Sequence, residues 1–205
     1  ERGIDTRVPE KAVRFAWGLL EKFSPSTQLA CTTLMEHFTA LLGEELLTDE
    51  RLMKQFDSEM LKMWQWHALE ELEHKSVAFD VYEKSGNSHR ERQFAPLLVA
   101  ATVGPAALLG WAYLLAREGK LTDVPDVVRG IRTLFGPKGF VSRILPKMPL
   151  FSGRRFHPAK HDTRDLEQRW RDKLFGAQGM LNAEFRNRSA IMGTFSAAPV
   201  LSAAQ

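Results

Sequence analysis

Residues 64–75 read Trp64-Gln65-Trp66-His67-Ala68-Leu69-Glu70-Glu71-Leu72-Glu73-His74-Lys75. On a helix, residues three or four apart share a face. His67, Glu71, His74, Ala78 and Val81 then form one stripe, which Met60 and Met63 or Trp64 extend toward the N-terminus. Its outer members are apolar or small, so the stripe is expected to face the interior of a helical bundle. Its middle is His, Glu and His. A buried, unpartnered carboxylate costs several kcal/mol, so something must compensate it. One compensation is a cation: Glu71-x-x-His74 lets one helix offer a carboxylate and an imidazole to the same metal. The other is an internal salt-bridge or hydrogen-bond network. Glu70 and Glu73 fall off the stripe and are expected in solvent or behind the ligands.

The preceding helical stretch offers a complement. Glu36 shares a face with Leu29, Thr33, Ala40 and Gly43, neighbours that leave room around a carboxylate. Two antiparallel helices would bring Glu36 opposite Glu71 and His74. His67 is open to three readings: a metal ligand, a partner of a ligand, or a satisfied core histidine.

Met35-Glu36-His37-Phe38-Thr39-Ala40, the 66–75 segment, and Ala78-Phe79-Asp80-Val81-Tyr82 together resemble the bacterial family of predicted metal-dependent hydrolases, from near residue 1 to about residue 175. The resemblance implies a ferritin-like helical bundle with a dinuclear carboxylate–histidine site, of iron or else manganese or zinc, activating water or O2. It implies metal ligation by Glu36, Glu71 and His74 and assigns no catalytic residue; His67 is a further candidate ligand from its place on the stripe alone. In the family pattern an earlier helix pair adds another Glu and another Glu-x-x-His. This sequence has no second Glu-x-x-His, so the expected site is half of one: either a preceding segment or a second chain completes it, or the metal function is lost.

Outward from the motif, helical periodicity dominates and strand signals are poor, giving an all-α expectation. Val13, Ala16, Leu19, Leu20 and Phe23 mark a first helix with Pro9 in its first turn. Ser24-Pro25-Ser26 breaks it, and Ser26 or Thr27 is expected to cap a second helix reaching about Leu47. A third helix is expected from Ser58 to Lys84, stopped by Ser85-Gly86-Asn87. Residues 94–116 carry no charge and are long enough to cross a bilayer. Gly104-Pro105 predicts a kink or a re-entrant hairpin. Arg90, Arg92 and Arg117 flank the segment as interface anchors would, and a buried core helix is the competing reading. A last helix is expected over 163–184. The organisation expected is a metal-binding half-bundle at 1–93, the apolar helix or hairpin at 94–118, a basic segment at 119–185 and a loose tail at 186–205.

The chain has 205 residues, 44% hydrophobic and 26% charged, with one cysteine, Cys31. That composition excludes wholesale disorder, a disulfide scaffold and any multi-cysteine metal site. Residues 1–93 hold 12 Lys/Arg against 17 Asp/Glu, whereas 117–175 hold 14 against 7. No acid lies between Asp126 and Asp162, where apolar residues alternate with basic ones, a pattern suited to an anionic membrane surface. No RNA-binding motif accompanies it, so no nucleic-acid partner is expected. His157, His161 and Asp162 form a second, weaker cation candidate. The polar opening Glu1-Arg2-Gly3-Ile4-Asp5 lacks a secretory apolar run, and the expected location is cytoplasmic, at the inner face of the membrane. Two functions follow: a metal-dependent enzyme acting on an apolar or lipid-like substrate, or a non-catalytic membrane-associated helical protein whose Glu/His cluster is held by Lys or Arg.

Overall fold

In the computed structural model, which describes residues 3–182 and 184, the chain is all-α. The helices are α1 (Arg7–Leu20), α2 (Pro25–Thr48), α3 (Glu50–Met53), α4 (Ser58–His74), α5 (Val77–Lys84), α6 (His89–Arg117), α7 (Val124–Phe135), α8 (Phe140–Ile144) and α9 (Arg164–Phe175). Two 3-10 segments, Leu145–Ser152 and Pro158–Lys160, join α8 to α9. The tail expected at 186–205 lies outside the described residues.

α2 is the axis. Ser24 caps it, its Oγ accepting from the Thr27 amide at 3.1 Å. The cap is thus two residues earlier than Ser26, because Pro25, lacking an N–H, fits the first helical position. Ser26 and Thr27 instead donate their hydroxyls to Glu91, which ties the start of α6 to the start of α2. Along its C-terminal half α2 packs antiparallel to α4, and Ala40, Leu47, Ala68, Leu69, Leu72 and Leu174 close a core there. Trp170 of α9 enters the same core and donates its indole N–H to the Leu47 carbonyl at 2.9 Å. A second core, on the N-terminal half of α2, gathers Ala30, Cys31, Leu34, Tyr82, Ala95 and Phe151. Burial pushes the Cys31 thiol up, keeping it an unreactive core residue.

Two boundaries differ from the sequence reading. The helix expected over 58–84 breaks at Lys75-Ser76: Ser76 and β-branched Val77 are weak helix formers, and Lys75 is drawn across to the His161 carbonyl and Thr163 Oγ1. The last helix stops at Phe175, where Gly176 leaves helical geometry in a position that a side chain could not occupy, since its Cβ would lie 2.3 Å from the Asp172 carbonyl oxygen. Of the two forms expected for the apolar segment, α6 is the helix: it runs unbroken through Pro96 and Pro105.

α6 is the one helix among the described residues long and apolar enough to cross a membrane, and it is not a core helix. It packs on α2 through Ala95, Leu98 and Val99, while Phe94, Leu97, Leu108 and Leu109 stay more than 60% exposed. Arg92, expected as an interface anchor, is instead buried. Its guanidinium donates to the carbonyls of Phe151 and Gly153 and lies 5.1 Å from the Phe79 ring centre and 5.3 Å from that of Phe151. It pins the 3-10 segment 145–152 to the bundle.

Candidate metal centre

The antiparallel pairing of α2 and α4 sets the geometry. Gly43 lies against the α4 backbone, and a Cβ there would come within 2.7 Å of the Ala68 carbonyl oxygen. One turn along, Thr39 faces Glu71; another turn along, Glu36 faces His74. His74 Nδ1 and Glu36 Oε2 stand 2.8 Å apart, and Thr39 Oγ1 donates to Glu71 Oε2 at 2.5 Å. One potential ligand atom each from Glu36, Glu71 and His74 lies within 4.8 Å of the others. Their side chains are 25%, 13% and 43% exposed, so the carboxylates are mostly withdrawn while the imidazole remains reachable.

His67 stands one turn before Glu71, its Nε2 3.3 Å from Glu71 Oε1, and lies outside that trio. Thr39 therefore holds one Glu71 oxygen, and His67 stands beside the other. Among the described residues no lysine or arginine comes within ion-pair distance of Glu36 or Glu71. The contacts inside the cluster are Glu36 with His74 and Glu71 with Thr39 and His67, and no lysine or arginine among the described residues neutralises the two carboxylates. Two carboxylates converge with only imidazoles and a hydroxyl around them, a donor set of hard oxygens and nitrogen that suits a divalent cation.

The stripe does not face an interior, contrary to the expectation from its apolar members. Met60, Met63, Trp64 and Val81 are each 40–48% exposed, because α4 turns Ala68, Leu69 and Leu72 toward α2 and α9 instead. Glu73 lies outside the site and pairs with Arg171 at 2.6 Å. His37, next to Glu36, looks the other way, edge-on to Phe156 with ring centres 4.9 Å apart, and burial pushes its imidazole down.

The second cluster does not converge. His157 Nε2 meets Asp80 at 2.9 Å, His161 Nε2 meets Glu44 at 2.9 Å, and Asp162 turns to Arg164. Those contacts staple the 153–163 loop to α2 and α5. Sequence reasoning missed Thr39, although it sits three residues after Glu36 and so on the same face.

Beside the trio is a cavity of about 420 Å3 with largely apolar walls, among them Leu42, Leu46, Phe56 and Trp64, and with Thr39, His67 and Glu71 on one side. Its size and lining are those of a small-ligand site with a few polar groups placed to orient what enters.

A family model described as "Predicted metal-dependent hydrolase" matches residues 1–162. No curated protein and no solved structure matches the chain.

Proposed function

The chain belongs to the predicted metal-dependent hydrolase family, and from that premise we propose that Glu36, Glu71 and His74 hold a divalent cation at which an apolar or lipid-like substrate is hydrolysed. The convergence of two carboxylates and an imidazole with no lysine or arginine among them carries this reading. A bound divalent cation would acidify water and polarise a scissile carbonyl or phosphoryl oxygen. The remaining work belongs to the chain's own side chains. Thr39 donates to one oxygen of Glu71 and so orients the carboxylate, while His67 stands beside its other oxygen. Leu42, Leu46, Phe56 and Trp64 exclude water from the adjoining cavity and align an apolar group against Glu71.

The complete centre in this proposal is dinuclear, with iron as the first choice, and O2 chemistry as the variant of the same ligand set. A second carboxylate–histidine set would come from another polypeptide segment seated on the open α4 face, where Met60, Met63 and Trp64 are exposed. The location proposed is the cytoplasmic face of a membrane, supported by the outward apolar side of α6.

The test is hydrolysis by the full chain of acyl esters and phosphoesters graded in chain length, before and after chelation and with Fe, Mn or Zn restored. The proposal expects loss on chelation, recovery with a divalent ion, and preference for longer chains. Turnover untouched by chelation would refute it.

A further inference from the structure

Two cavities share a wall beside the C-terminal end of α7. The apolar one next to Glu71 reaches Leu52 and Phe140. The same two side chains line a second cavity of about 500 Å3, whose wall also carries Arg51, Arg132, Lys138 and Arg143, with Asp49 the one acid among its lining residues. Arg51 and Arg143 are spent on Asp49, at 3.0 and 2.6 Å, and Arg143 also reaches Glu45 at 2.6 Å. Arg132 and Lys138 have no carboxylate within ion-pair distance among the described residues. Arg132 comes from the last turn of α7 and Lys138 from the loop that returns the chain to α8. A Cβ at Gly139 would stand 2.5 Å from the Leu134 carbonyl oxygen, so that return is tight and fixes where Lys138 sits.

We propose that the two adjacent cavities together bind an anionic amphiphile, its phosphate or carboxylate head between Arg132 and Lys138 and its acyl tail passing between Leu52 and Phe140 toward Glu71. A neutral lipid would leave the two cations unpaired, and a bare anion would leave the apolar cavity empty. A molecule with both ends satisfies both, since charge-assisted hydrogen bonds hold the head and burial of methylenes holds the tail. This names the substrate class of the proposed metal site and rests on that reading only for which end of the ligand reacts.

Binding to the full chain is measured by calorimetry with EDTA present, so that failure of the metal reading leaves the outcome interpretable. The probes, kept below their micellar concentrations, are dodecyl phosphate, dodecanoate, dodecanol and inorganic phosphate. Dodecyl phosphate and dodecanoate are expected to bind at least about tenfold more tightly than dodecanol or inorganic phosphate. The paired substitutions Arg132→Ala and Lys138→Ala are expected to remove that advantage while leaving dodecanol unchanged; both positions are exposed, so the fold is retained, which circular dichroism checks. Displacement of dodecyl phosphate by phosphatidylglycerol vesicles would assign the ligand to a bilayer, and no displacement would assign it to dissolved amphiphile. Equal affinity for dodecyl phosphate and dodecanol, equal affinity for inorganic phosphate, or indifference to the paired substitution would overturn the proposal.

Discussion

Gly43 and Ala68 are in backbone contact: a methyl group at Gly43 would sit 2.7 Å from the Ala68 carbonyl oxygen, well inside van der Waals distance. That approach sets the spacing between α2 and α4, and the spacing sets whether Glu36 and Glu71 can share one cation. Gly43→Ala must push the helices apart. Overpacking of this kind costs about 1–3 kcal/mol. The expected result is a lower unfolding midpoint together with weaker metal retention. Unchanged metal affinity in a destabilised variant would separate the spacing from the site.

Arg92 is a buried cation satisfied by backbone carbonyls and aromatic faces. Arg92→Ala leaves the Phe151 and Gly153 carbonyls without their donor, a loss of about 2–4 kcal/mol. Arg92→Lys should recover little, since an ammonium cannot reproduce the planar fork that reaches both carbonyls. Chemical denaturation of both variants checks this, with Arg90→Ala, on an exposed neighbour, as the control.

Much of this architecture is legible in the sequence where a single face decides the outcome. The Glu36 and Glu71/His74 faces meet as their spacing requires, and Pro25 and the apolar spacing place α2 to within a residue or two. The rest depends on contacts between distant segments. Nothing local at Arg92 shows that Phe151 and Gly153 will return to cover it, so its charge reads as solvated. Nothing local at Lys75 shows that His161 and Thr163 will draw it aside and let the helix break. The apolar positions of α4 were expected to line an interior, yet a helix buries whichever side its neighbours reach. Here α2 and α9 reach Leu69 and Leu72 rather than Met60 and Met63.

Acid should attack the end of α2 through Asp49. The side-chain hydrogen bond from Arg51, helped by the amides of Arg51 and Leu52 and by Arg143, holds its carboxyl down at about 2. An unfolded aspartate titrates near 3.8. The folded state therefore binds its proton less readily, so this stabilisation is fully present above about pH 4 and is lost as pH falls through about 2. Asp49→Asn should be less stable at neutral pH but show a shallower loss between pH 4 and 2. Unfolding midpoints across that range give the comparison, and parallel curves for both proteins would contradict it.

α7 exposes Val124, Val128, Ile131 and Phe135 on one stripe, with Arg129 and Arg132 on its flank. An interfacial helix of this kind gains from apolar burial and about 1 kcal/mol per basic residue near an anionic surface. Val128→Asp with Ile131→Asp, at positions where substitution moves stability by only about 0.5 kcal/mol, should abolish flotation with phosphatidylglycerol vesicles. High salt should weaken the unaltered chain's flotation. Flotation insensitive to both would remove α7 from the membrane-facing side.

The most direct test of the central claim is metal content by mass spectrometry after purification, for the unaltered chain beside Glu71→Gln and His74→Ala. The account predicts about one tightly held divalent cation per chain for the trio on its own. It predicts that either substitution empties the site while circular dichroism shows the helices intact. A chain that retains no cation after exposure to Fe, Mn and Zn, or one whose cation survives both substitutions, would contradict it.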